Sequence, residues 1–292
     1  MVKCKENTAE AQKNILSQDI KPFQELNLSD DFMFDAATND LECCRIILEL
    51  SLGIQINSIR WKENQKVIHN LPGRRGIRLD FYVETANGKI YDVEMQKRNT
   101  GHIPKRTRFY QSLIDAPLLK SGEESFDNLK PSCIVVICQF DLFGLGKYRY
   151  TFTNRCKEVP ALELGDESTK IILSTKGKND SEVEKSLVDF LHYVESSNSK
   201  NISENCDERL KHLHKVLQTI KANSKMEAVY MKAETRERLI IADAKAEATE
   251  KTTTLLNRLN QKLIKDERME DLVRSTKDRA FQKELLEEYG LQ

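Results

Sequence analysis

No stretch of this sequence approaches the roughly 18 uninterrupted apolar residues of a membrane-spanning helix. The opening, Met1-Val-Lys-Cys-Lys-Glu-Asn7, has no apolar segment of the kind that directs secretion. No membrane partner is expected, and the location expected is cytoplasmic. Charge of one sign is also missing. The 46 Lys and Arg balance 46 Asp and Glu, so any attraction to a polyanion must come from a local patch. Seven cysteines are an odd number without CxxC spacing, which argues against a disulfide framework and for reduced, mostly buried thiols. There is no fixed-period repeat. Gly144-Leu-Gly-Lys147 lacks the spacing and the Ser/Thr of a phosphate-binding P-loop. His212 and His214, two apart on a helix, point to different sides and make a poor zinc site with Cys206.

What is present suits one sizeable core and a smaller appendage: 292 residues, 39% apolar and 32% charged. Residues 1–25 are polar and aperiodic and read as a frayed leader, 26–200 as an α/β domain, and 206–292 as a charged helical arm ending in a helical hairpin. Ser29, Asp30 and Asp31 precede Phe32, Met33 and Phe34 as a helix start. Asn39 or Asp40 caps a second helix with Ile46, Ile47 and Leu50 on its apolar face, closed by Gly53. Ile54–Trp61 alternates weakly as a first strand. Ile77–Glu84 and Ile90–Gln96 alternate well and form the strongest hairpin signal in the chain. A basic helix follows over about 104–120, and Cys133-Ile-Val-Val-Ile-Cys138 reads as a central strand buried on both faces. Tyr148, Tyr150 and Phe152 alternate in a further strand, and Lys170–Ser174 adds another. From Ser181 on only helices are expected: one through Val183–Val194, an exposed arm over 206–250, and two more at 251–266 and 269–289.

Chemistry concentrates on the hairpin. In Ile90–Gln96 the side chains of Asp92, Glu94 and Gln96 share one face, and on the preceding arm Asp80, Tyr82 and Glu84 do. The turn decides whether these faces coincide. A two-residue Asn87-Gly88 loop sets Asp80 opposite Met95 and splits the acids. A three-residue loop, Ala86-Asn87-Gly88 with a left-handed Gly88, sets Asp80 opposite Glu94. The sequence admits both. In the second register the two Cβ atoms stand about 4.5–5.5 Å apart, a spacing at which two carboxylates share a cation. Without one they would repel until one protonated. Oxygen-only donors favour Mg²⁺ or Mn²⁺ over zinc, and such a metal polarises a phosphodiester and lowers the pKa of bound water. Gln96, neutral and on the same face as Glu94, can orient that water but brings no positive charge.

Asp80, then Glu94-Met-Gln96 at the end of the next strand, then a helix with Tyr110-Gln-Ser112, resembles the PD-(D/E)XK nuclease superfamily. More narrowly, the chain is similar to its recombination-promoting nuclease and putative transposase group. Asp31-Phe-Met-Phe, Arg78-Leu-Asp-Phe-Tyr-Val, Lys89-Ile-Tyr-Asp-Val-Glu-Met-Gln and the Ile-Val-Val-Ile run followed by Phe140-Asp-Leu-Phe carry the same likeness over about 26–175. Asp35 stands where the first motif more usually has lysine, and Leu79 where proline often precedes the motif aspartate.

The resemblance implies a restriction-endonuclease-like mixed central sheet flanked by helices, here with a C-terminal helical extension. It also implies Mg²⁺-dependent DNA endonuclease activity linked to recombination. Asp80 and Glu94 would be the metal ligands, and Gln96 would replace the motif lysine. Asp31 is a candidate outer-sphere acid, with a helix N-cap the plainer account. Arg74, Arg75 and Arg78 before the acids, and Lys97, Arg98, Lys105, Arg106 and Arg108 after them, are candidate phosphate contacts. Tyr110 and Gln111 are candidates for hydrogen bonds near the site. DNA is the expected partner, cut with weak sequence preference, and the C-terminal helices are the expected route to self-association. The rivals are a catalytically silent DNA-binding protein of the same fold and an assembly protein acting through residues 206–292.

Overall fold

The computed structural model describes residues 20–68, 77–122 and 125–291. Within it, residues Pro22–Glu227 form one compact unit and Ala228–Gln292 belong to a second.

The first unit is built on a six-stranded sheet of β1 (Ile59–Ile68), β2 (Ile77–Thr85), β3 (Ile90–Gln96), β4 (Ser132–Cys138), β5 (Arg149–Phe152) and β6 (Ser168–Ser174), in the order β1-β2-β3-β4-β6-β5. β1, β2 and β3 run antiparallel, β3–β4–β6 parallel, and β5 antiparallel to β6. The sheet is therefore mixed, as the family resemblance implies. β4 is buried along its whole length, as befits a central strand covered on both faces.

One face carries helices α1 (Asp31–Thr38) and α2 (Leu41–Leu52). Phe34 of α1 meets Phe81 of β2 with ring centroids 6.1 Å apart. Asp40 caps α2 by accepting from the amide of Cys43 at 2.9 Å, and Gly53 ends the helix with φ 70°. The start of α1 differs by one residue from the expected N-cap at Asp31. Asp30 holds the N-cap position, and Asp31 is the first helical residue, exposed to solvent.

The other face lies under α3 (Ile103–Asp115), the crossover that joins parallel β3 and β4. Ile103, Tyr110, Leu113 and Ile114 of α3 pack with Tyr82, Ile90, Ile134, Val136 and Ile172 of the sheet. The helix stops short of the expected 120 because Pro117 follows, and the chain makes a 3-10 turn over Ala116–Leu118.

Other features also depart from what the sequence predicts. Phe23 is buried, 1% exposed, so ordered packing begins within the stretch expected to fray. After α4 (Lys185–Glu195), helix α5 (Glu208–Lys221) belongs to the compact unit rather than to an arm. It buries Leu210, Leu213 and Leu217 against α1 and α2, and the spacing of those leucines is that of a core-facing helix. Finally, α6 (Ser224–Lys265) is one continuous helix. It contains neither glycine nor proline, so nothing local ends it near 250.

In the second unit Leu259 and Leu263 of α6 pack with Leu285 and Leu291. The expected helix over 269–289 is two helices, α7 (Met269–Ser275) and α8 (Arg279–Glu288). Asp278 opens the second by accepting from the Phe281 amide at 3.0 Å. Among the described residues no helix is long and apolar enough to cross a membrane.

Candidate active site

The hairpin takes the register that unites the acids. Phe81 pairs with Val93, Tyr82 with Asp92, Val83 with Tyr91 and Glu84 with Ile90, and the same register carried on sets Asp80 against Glu94. Its turn is the three-residue one. Thr85 and Lys89 close it through the Thr85 amide on the Lys89 carbonyl at 3.0 Å, and Gly88 has φ 82°. Only a residue without Cβ adopts that conformation cheaply.

Asp80 and Glu94 interlock. The amide of Asp80 donates to Glu94 Oε1 at 3.2 Å, and the amide of Met95 donates to Asp80 Oδ2 at 2.8 Å. Asp80 is partly exposed, and Glu94 is only 3% exposed.

Asp92 completes the acidic face. It is wholly buried, between Tyr82 on β2 and Ile134 on β4, and neither carboxylate oxygen has a hydrogen-bond partner. Burial pushes its carboxyl well above the usual carboxylate range, and the charge of Asp80 adds to the effect. Glu94 is raised for the same first reason, with Asp92 and Asp80 adding repulsion. The alternation of β3 places Asp92 beside Glu94, but a sequence offers no sign that its oxygens would lack partners. Among the described residues no group of three or more His, Cys, Asp and Glu side chains is arranged to hold a metal. The facing pair is Asp80 and Glu94.

Helix α3 roofs this face. Arg106 reaches inward, with Nη2 3.8 Å from Glu94 Oε2, and its guanidinium lies 5.6 Å from the centroid of the Tyr110 ring. Tyr110 is buried, and burial together with the charge of Glu94 raises its hydroxyl pKa. Burial pushes Tyr82 up to about 12, with Glu84 and Asp92 contributing.

The remaining candidates scatter. Gln96, at the end of β3, is half-buried. Gln111 turns away to Asp115 and Ser132, donating to Ser132 Oγ at 2.8 Å, and Ser168 donates to its Oε1 at 3.2 Å. That places it level with Ile90, the far end of β3 from Gln96. Lys97 pairs with Asp30 at 2.5 Å. Arg98, Lys105 and Arg108 are exposed, as is Asp31. Arg78 lies on β2, and Arg74 and Arg75 lie outside the described residues.

The model of the PD-(D/E)XK nuclease family transposases matches residues 46–251, from within α2 through all six strands and into α6. The chain belongs to this family. No curated protein and no solved structure matches the chain. PD-(D/E)XK nucleases generally use divalent metals, and the match covers both arms of the hairpin that carries Asp80 and Glu94. Membership supports a nuclease or transposase-like function for the chain.

Proposed function

We propose that this chain hydrolyses DNA phosphodiester bonds at the face of the β2–β3 hairpin, with Asp80 and Glu94 holding a Mg²⁺ or Mn²⁺ ion and Gln96 orienting the attacking water. The observation that carries this reading is the register, which faces two carboxylates across one strand pair and leaves Asp92, buried and without hydrogen bonds, beside them.

The residues fit such an ion. All the donors are oxygens, which suits a hard divalent cation. Buried acids kept ionised without a counter-charge are costly, and a cation offsets both that cost and their mutual repulsion. When bound, the metal supplies Lewis-acid polarisation of the phosphate and a more acidic water. The protein does the rest. Met95 fixes the Asp80 carboxylate through its amide, the Asp80 amide fixes Glu94, and the roof of Ile103, Tyr110 and Leu113 dries one side of the site. Gln96 contributes a donor and an acceptor for water and no charge. Exposed Arg98, Lys105 and Arg108, close to the acids in sequence, suit sequence-independent phosphate contacts, and so weak base preference. A role in recombination agrees with the transposase part of the family description.

The test is plasmid nicking by purified protein. Conversion with Mg²⁺ or Mn²⁺, none in EDTA, and a loss of about a thousandfold in Asp80→Asn and Glu94→Gln are expected. Equal rates for wild type and Asp80→Asn would sink the assignment. DNA binding without cleavage under every metal condition would support the silent-binder reading, which the absence of a lysine at position 96 favours.

A further inference from the structure

A phosphoryl transition state spreads negative charge over its non-bridging oxygens and is stabilised by a preorganised positive group. Gln96 cannot be that group. The basic side chains between Lys97 and Arg108 divide sharply. Arg98, Lys105 and Arg108 face solvent, and Lys97 is engaged by Asp30 at 2.5 Å. Arg106 instead turns under its own helix toward the acids.

Two independent observations mark Arg106. Its Nη2 stands 3.8 Å from Glu94 Oε2, within ion-pair range but too far for a hydrogen bond. That same nitrogen is buried and has no hydrogen-bond partner. Buried guanidinium groups ordinarily satisfy their donors, and Arg209 in this chain does so at Asp207, with Nη2 on Oδ2 at 2.7 Å. Arg149 Nε is also buried without a partner, but Arg106 Nη2 is the one of the two that lies beside an acid of the hairpin face. The side chain as a whole remains 25% exposed although Nη2 itself is buried, and the Tyr110 ring supports the guanidinium plane from the next turn of α3.

We propose that Arg106 supplies, from helix α3, the positive charge that Gln96 cannot. Its guanidinium is the resident counter-charge of the Asp80–Asp92–Glu94 face before a cation binds, and the partner of the non-bridging phosphate oxygens once DNA is seated. This rests on the hydrolytic reading of the Asp80–Glu94 pair. Its charge is set against the cation in the first state and acts alongside it in the second.

The experiment uses full-length wild type, Arg106→Gln and Arg106→Lys, each checked for folding by thermal melt. It measures kcat and KM for plasmid nicking in Mg²⁺, and Mn²⁺ affinity by calorimetry without DNA. Arg106→Gln should lower kcat about a hundredfold with KM little changed, and Arg106→Lys should recover part of the loss because the charge is kept. Arg106→Gln should also bind Mn²⁺ several-fold more tightly, since a competing cation has gone. An unchanged kcat with a raised KM would make Arg106 an ordinary phosphate contact and overturn the inference, as would Mn²⁺ affinity that stays the same or weakens. If wild type cleaves no DNA, the hydrolytic reading falls and the Mn²⁺ comparison still decides the place of Arg106. If Asp80→Asn abolishes cleavage while Arg106→Gln changes neither measurement, only the role of Arg106 falls.

Discussion

The backbone amide of Asp80 donates to the Glu94 carboxylate at 3.2 Å, while the Asp80 carboxylate accepts from the amide next to Glu94, that of Met95, at 2.8 Å. Each acid thus bonds the other's stretch of backbone, so the candidate ligands also hold the two arms of the hairpin together.

That double role separates two substitutions at position 80. Asp80→Asn keeps an oxygen for the Met95 amide and removes the charge, so the fold should survive. Asp80→Ala leaves a backbone donor without its acceptor and should cost a further 1–3 kcal/mol or so. Urea denaturation of the two variants gives the difference directly, and equal midpoints would show that the Met95 bond contributes nothing.

Gly88 sets the register through a left-handed backbone with open space around it. Gly88→Val should therefore cost about 1–2 kcal/mol from backbone strain alone, with Gly88→Asn milder because asparagine tolerates that conformation. Thermal melts of both variants in one buffer provide the check, with the order Gly, Asn, Val expected.

Asp92 and Glu49 are both buried acids, and they differ in partners. Glu49 accepts from Arg45 at 2.7 Å, from the Ile56 amide at 2.9 Å and from Arg209 at 3.3 Å. Asp92 has no hydrogen bond. Asp92→Leu, close in shape and set between Tyr82 and Ile134, should stabilise the metal-free protein by about 1–3 kcal/mol while weakening Mn²⁺ binding. Asp92→Leu less stable than wild type would mean that the carboxyl has a structural use.

Asp207 gives the pH dependence. Its hydrogen bonds to Arg209 hold the carboxyl below its ordinary value. A depressed folded-state pKa adds stability that is present above the ordinary aspartate value and lost as pH falls through the folded one. Asp207→Asn should be less stable than wild type at pH 6, with the gap closing in acid below about pH 4. A gap independent of pH would refute the charge contribution.

Thiol chemistry should divide the cysteines. Burial pushes Cys43, Cys44 and Cys138 up to about 12 and Cys133 to about 11, so all four stay protonated at pH 8. Cys156 is partly exposed. Peptide mapping after brief labelling of the native protein should find Cys156 modified well ahead of those four.

The strands of the hairpin, the buried β4 and the caps at Asp40 and Gly53 were legible because each is a local pattern: alternation, an apolar run, a turn residue. The loop length was not. Asn87-Gly88 suits a two-residue turn as well as a three-residue one, and only pairing across the strands decides between them. Asp92 sat in plain view on the acidic face, yet its isolation depends on Tyr82, Ile134 and α3, which are brought together by the fold. Arg106 was one basic residue among several, and its inward turn depends on its angular position on α3, set by the burial of Ile103, Thr107 and Tyr110. The helix breaks at 222–223 and 276–278 were missed for a simpler reason. Neither contains glycine or proline, and a capping Asn or Asp gives a weaker signal than either.

The crossover from β3 through α3 to β4 has one more implication. Every group assigned to chemistry, from Asp80 to Tyr110, lies in a single uninterrupted run of chain, and the rest of the sheet supplies burial and a platform. The proposed reactive groups are therefore carried by one contiguous segment of β2, β3 and α3. Changes at its charged side chains act on the proposed chemistry directly, while changes at Asp80 or Gly88 act at the same time on the hairpin that carries it.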